Sequence, residues 1–100
     1  MAKWKVQLSK KAQQDVKLLI AANLNVKSKE LLDILAENPF QSPPFYESLS
    51  GNLEGRYSRR INIQHRLVYR VLPNAENLRD ENGDLYTGIV LITRMWSHYE

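Results

Sequence analysis

Trp4, Val6 and Leu8 alternate with Lys3, Lys5 and Gln7, the period-two pattern of a strand with one buried face. Ser9 then supplies a hydroxyl where a helix can begin. Ala12, Val16, Leu19 and Ile20 follow helical spacing, Asn23-Leu24-Asn25 interrupts it, and Leu31, Leu32 and Leu35 mark a second helix. Asn38-Pro39 ends that helix, because proline disfavours helical geometry in the residue before it, and Ser42-Pro43-Pro44 keeps the chain extended. The stretch from Pro39 to Gly55 is expected to be a loop. From Arg56 to Leu72 the chain is rich in β-branched, aromatic and arginine residues, with a break at Asn62 to Gln64, which predicts an antiparallel hairpin. Pro73 to Gly83 is polar and carries Asn82-Gly83, an exposed loop, and Tyr86 to Met95 is nearly continuous in apolar residues, as in a strand covered on both faces. The order β-α-α-β-β-β predicts an α+β fold in which two N-terminal helices bury their apolar stripes against an antiparallel sheet. Trp4, Leu19, Leu35, Tyr69 and Val90 are assigned to packing.

Alternation also sorts the hairpin side chains into faces. Ser58, Arg60 and Asn62 point opposite to Tyr57, Arg59 and Ile61, while Arg66 opposes Leu67 and Tyr69. With Leu67, Tyr69 and Val71 turned to the helices, Arg66 and Arg60 project from the uncovered face.

One hundred residues, 43% hydrophobic and 25% charged, fit a single domain spanning residues 1–100. No cysteine is present, which removes disulfide frameworks and thiolate metal sites and suits a reducing compartment. Met1 to Leu8 lacks the apolar core of a signal peptide and no run reaches transmembrane length, so a cytoplasmic protein without a membrane partner is expected. The net charge of +3 and pI near 9.3 say little, but its distribution says more. Arg56, Arg59, Arg60, Arg66 and Arg70 fall with His65 in a stretch without an acid, whereas Glu76, Asp80, Glu81 and Asp84 follow it. This is an anion-binding pattern.

The two histidines, His65 and His98, are far apart, and no carboxylate is spaced to complete a familiar ligand set, so metal-free chemistry without a cofactor is expected. Gly51 and Gly55 lack the lysine and hydroxyl of a P-loop, and no nucleophile elbow surrounds any serine. What the chain does hold is an acid, a base and arginines, the parts that cleave RNA by attack of its own 2′-hydroxyl: a base to take the proton, cations for the phosphorane, and an acid for the departing 5′-oxygen. Glu47, Arg66 and His98 have the required chemistry. Taken singly, however, a loop glutamate is ordinarily solvated, a strand arginine ordinarily paired with a carboxylate, and a terminal histidine idle.

The run Tyr46-Glu47-Ser48-Leu49-Ser50-Gly51-Asn52-Leu53-Glu54-Gly55-Arg56-Tyr57-Ser58-Arg59-Arg60-Ile61, followed by His65-Arg66-Leu67-Val68-Tyr69 and the closing His98-Tyr99, closely resembles the YoeB/Txe toxins of the RelE superfamily. Pro39-Phe40 matches the same pattern. The resemblance implies a microbial RNase fold and ribosome-dependent cleavage of mRNA to a 2′,3′-cyclic phosphate. It implies Glu47 as general base, Arg66 as the phosphate-stabilising cation, His98 as general acid and Tyr99 as the terminal tyrosine of the site. Arg59, Arg60 and His65 are implied to support RNA binding, by contact with phosphate or by backing the residues that make it. It further implies a YefM/Phd-type antitoxin whose acidic segment wraps the toxin, contact with operator DNA only through that complex, and homodimers. The chain departs from the pattern in its long 73–88 loop, in Trp96-Ser97 with Arg94 upstream, and in Glu100 after the terminal tyrosine. The alternative from a different class is a non-catalytic RNA- or ribosome-binding protein, which needs the arginine face but has no use for a matched acid and base.

Overall fold

In the computed structural model, which describes residues 3–51 and 55–96, the alternating N-terminal stretch forms β1 (Trp4–Leu8) and passes directly into α1 (Lys10–Ala21). Ser9 makes the corner. Its Oγ accepts from the Ala12 N–H at 3.1 Å and donates to the Thr93 carbonyl at 3.0 Å, so one side chain caps the helix and ties it to the last strand. Asn23, at φ 60°, takes the left-handed conformation that asparagine tolerates and turns the chain into α2 (Asn25–Glu37). That helix stops just before Asn38-Pro39, where the sequence places its end.

Four further strands follow: β2 (Tyr46–Ser48), β3 (Arg56–Arg60), β4 (Arg66–Pro73) and β5 (Gly88–Arg94). They form one sheet in the order β1-β5-β4-β3-β2. It is antiparallel except at β1, which pairs parallel with β5. The expected order of elements is present with one addition. β2 lies inside the stretch read as a loop, being too short to display alternation in a segment dominated by prolines. The two helices cover one face of the sheet, and Ala12, Leu19, Leu31, Leu35, Leu67, Tyr69, Val90 and Ile92 meet between the layers with Trp4 packed against them. The five residues assigned to packing therefore all belong to this core or its margin.

The 73–88 segment is an ordered structure. The Asn74 side chain donates to the carbonyls of Leu78 and Tyr86 and accepts from the Leu78 N–H, which folds the segment back on itself. Asp80 accepts from the N–H groups of Asn82 and Asp84, and the Asp84 N–H foremost holds its carboxyl below the ordinary carboxylate pKa. Lys3 reaches Asp80 at 3.8 Å and Glu81 at 3.5 Å, pinning the loop to β1, and Glu81 foremost raises the lysine pKa. The acidic residues are thereby gathered on the β1 side of the sheet, away from β3.

Gly88 is fixed by this arrangement. It pairs with Trp4 across β1 and β5, and a Cβ there would lie 2.8 Å from Trp4 Cε3 and 2.9 Å from the Leu72 carbonyl oxygen. We predict that Gly88→Ala costs about 1–3 kcal/mol through this overpacking, read as a lower urea midpoint with an unchanged slope. A midpoint equal to that of the parent would show that the Trp4 ring yields freely.

Candidate functional site

Antiparallel pairing sets Arg60 opposite Arg66, Ser58 opposite Val68, and Arg56 opposite Arg70. Residues directly opposite share a face, as do residues two apart on one strand, so these side chains form rungs on a single surface. β2 adds Glu47 opposite Ser58, in the row between the two arginine rungs. Glu47 and Arg66 thus share the sheet face opposite the helices, two strand spacings and one rung apart, about 12 Å at the backbone. Arg60 and Arg70 are exposed, whereas Ser58, beside Glu47, is 2% exposed with a hydroxyl that finds no hydrogen-bond partner among the described residues. Glu47 and Arg66 each engage neighbouring groups.

Arg59 narrows an expectation. It is 1% exposed and lies on the helix side of the sheet, its guanidinium donating to the carbonyls of Pro44 at 2.6 Å, Gln41 at 2.8 Å and Pro39 at 3.0 Å. With those donors engaged and the side chain out of solvent, Arg59 is placed to back the site and not to line it. It holds the proline-rich segment that delivers β2. The Tyr69 hydroxyl donates to the same Pro39 carbonyl at 2.7 Å, and the rings of Phe40, Tyr46, Tyr57 and Tyr69 pack in series above it. Strand alternation already opposed Arg59 to Arg60; the arginine-rich composition hid that signal. His65 is also buried, with its ring stacked on Trp96 at 3.8 Å and 16°, so of the three residues expected to support RNA binding only Arg60 faces solvent.

The end of β5 is held by a residue that the sequence patterns did not single out. Asp15, buried on α1, accepts from the Met95 N–H at 3.0 Å and from Arg94 Nε at 2.9 Å. Arg94 is therefore committed to this carboxylate. One residue on, the Trp96 carbonyl accepts from the Arg66 N–H at 3.2 Å. His98 and Tyr99 lie outside the described residues. An aspartate in helical register with Ala12 and Leu19, inside the apolar stripe of its helix, was the available signal for Asp15, a weak one.

No helix among the described residues is long and apolar enough to cross a membrane, and no group of three or more histidines, aspartates and glutamates among them is placed to hold a metal ion. Two helices against a five-stranded, mostly antiparallel sheet form the RelE-like toxin fold. A YoeB/ParE toxin from Agrobacterium tumefaciens superposes with a TM-score of 0.75 at 24% identity, covering 95% of this chain and 99% of that one. Residues 8–79 match the model of the YoeB-like toxins of bacterial type II toxin-antitoxin systems, and the chain belongs to that family. A toxin YoeB of Synechocystis sp. is 44% identical over 59 residues, 59% of this chain; the aligned part spans 62% of that relative's length. The YoeB of Staphylococcus aureus, solved as a YoeB-YefM complex, is 32% identical with a TM-score of 0.68, covering 98% of this chain and 100% of that one; its dimer matches likewise, with a TM-score of 0.69.

Two outcomes test this arrangement. Arg59→Ala takes the donor from the Pro44 and Gln41 carbonyls, while the Pro39 carbonyl keeps Tyr69, and is expected to cost about 1–3 kcal/mol of unfolding free energy, measured in urea; a loss within experimental error would show that the segment holds itself. Burial foremost raises the Tyr69 hydroxyl above its ordinary pKa of 10.0, opposed by the nearby Arg59 guanidinium. Because the folded state then retains a proton that the unfolded chain releases, stability contributed by this group falls as pH rises through 10.0 and beyond. Comparison of thermal unfolding for the parent and Tyr69→Phe between neutral pH and that region is expected to show a shallower decline in the variant.

Proposed function

We propose that this chain is a ribosome-dependent mRNA endoribonuclease, the toxin of a type II toxin-antitoxin pair, acting as one domain in the cytoplasm. The observation that carries the reading is the placement of Glu47 between two arginine rungs on the open sheet face, with Arg66 hydrogen-bonded through its N–H to the segment that leads to His98. Glu47 takes the proton from the 2′-hydroxyl, whose oxygen attacks the adjacent phosphorus. Arg66, with Arg60 beside it, stabilises the charge that develops on the non-bridging oxygens. His98 donates a proton to the departing 5′-oxygen, and Tyr99 is the site's terminal tyrosine. The P–O5′ bond breaks as the new P–O bond forms, leaving a 2′,3′-cyclic phosphate and a 5′-hydroxyl, with no metal or cofactor in the sequence of steps.

The positioning of the tail supports this division of labour. Asp15 anchors Met95, Trp96 stacks on His65, and the two contacts lie three and two residues before His98. Asp80 and Glu81 are held on the β1 side, and the Arg56–Arg70 and Arg60–Arg66 rungs make the β3–β4 face cationic, as a polyanionic substrate requires. The S. aureus relative's complex with YefM supports a YefM/Phd-type antitoxin here, its acidic segment competing for the same arginines, with operator DNA reached only through that complex. The dimer of the same relative supports homodimer formation.

Induced expression in bacteria tests the chemistry. The parent is expected to arrest growth, and Glu47→Gln, Arg66→Ala or His98→Ala to relieve the arrest, each lowering cleavage of ribosome-bound message by at least about 100-fold in primer extension. Equal arrest by folded versions of all three would favour a cationic binder that blocks translation without cutting.

A further inference from the structure

Beside the proposed site lies a second cationic feature. A cavity of about 470 Å³ opens where α1 begins, lined by Ser9, Lys10, Lys11, Arg56, Thr93 and Arg94. Four of its six lining residues are cations and none is an acid. Arg94 is neutralised from the core side by Asp15, but Lys10, Lys11 and Arg56 make no ion pair among the described residues. The Nε of Arg56 is buried without an acceptor among the described residues, the condition in which a donor favours a ligand that supplies one.

The two lysines are placed against the helix. They occupy its first two positions, where the macrodipole favours anions, and no acid stands in that first turn. The hydroxyls of Ser9 and Thr93 are already engaged with Ala12 N–H and the carbonyls of Thr93 and Val68. Contacts available to a ligand are therefore the cationic side chains and the free N–H groups of the opening turn, a combination suited to a phosphate. Arg56 joins the cavity to the sheet face, because it also forms a rung with Arg70. That rung stands four residues along β3 from Arg60, roughly 13 Å, too far for one phosphate to bridge and within reach of a neighbouring phosphate of the same strand.

We infer that the Lys10–Lys11–Arg56 cavity is a second phosphate subsite, holding the backbone of the single-stranded RNA away from the scissile bond. The inference rests on the RNase reading and deepens it by naming where the strand is gripped beyond the cut. A fluorescein-labelled DNA hexanucleotide and a dinucleotide, which lack the 2′-hydroxyl and cannot be cleaved, are suitable probes for the full chain in anisotropy titrations. The parent is expected to bind the hexanucleotide at least about tenfold tighter than the dinucleotide. Lys10→Ala and Lys11→Ala are each expected to reduce that difference, and together to abolish most of it, while leaving dinucleotide affinity unchanged, and to flatten the salt slope of log K by about 0.7 for each phosphate no longer neutralised. The double lysine variant is also expected to melt at the same or a higher temperature, since it removes charges that oppose the helix dipole.

Hexanucleotide binding unchanged in the variants would overturn the inference. So would an equal loss for both probes, which reports general charge, or a loss of sedimentation with ribosomes alone, which would assign the cavity to ribosomal RNA phosphates. Primer extension with the parent separates the two levels: a parent that cuts message while its variants bind normally sinks only this subsite, whereas a parent that never cuts sinks the RNase reading itself.

Discussion

The register of the β3–β4 hairpin is the constraint from which most of this molecule follows. Pairing Arg60 with Arg66 and Tyr57 with Tyr69 sends Arg56, Arg60, Arg66 and Arg70 to one face and the aromatics, with Arg59, to the other. A slip of a single residue would exchange the faces, burying unpaired guanidinium groups against Leu19 and Leu35 and exposing Tyr69, which is fully buried here. The hydrophobic core therefore enforces the cationic surface: the register that buries Leu67, Tyr69 and Ile92 is the one that lines up the rungs.

Two buried polar contacts extend that surface beyond the hairpin, each by tying an irregular segment to a rigid element. Arg59 draws three carbonyls of the proline-rich segment onto the helix side of β3, and the chain leaving that segment pairs as β2 with Glu47 on the opposite face. Asp15 does the same from α1, fixing the point where β5 ends and the tail begins. In both cases a charge removed from water is matched by several hydrogen bonds, which makes its burial tolerable and its deletion costly. Irregular backbone can then carry functional groups without a strand or helix of its own length beneath it.

Charge is distributed by the same logic. The long loop before β5 keeps Asp80 and Glu81 beside Lys3 at the β1 edge, while β3, β4 and the start of α1 collect cations. Lysines at the beginning of a helix reduce its stability slightly and raise the local potential, an exchange that makes sense only where an anion visits.

Much of this was legible in the residues themselves. Periodicity located both helices, the hairpin and the final strand, because each buries one continuous face, and alternation placed Arg60 and Arg66 on the uncovered side. The string from Tyr46 to Tyr69 carried the family resemblance, and with it Glu47, which no pattern would have singled out in a loop. Other features depended on contacts between residues far apart in the chain. Asp15 meets Met95 across 80 positions, and Arg59 reaches back 20 to Pro39. No local propensity encodes such a meeting. Whether a given arginine is a ligand or a structural clamp is decided by which acceptors surround it once the layers have packed; the sequence determined that the chain would have an arginine-bearing sheet face, and the tertiary structure decided which arginines remained available to it.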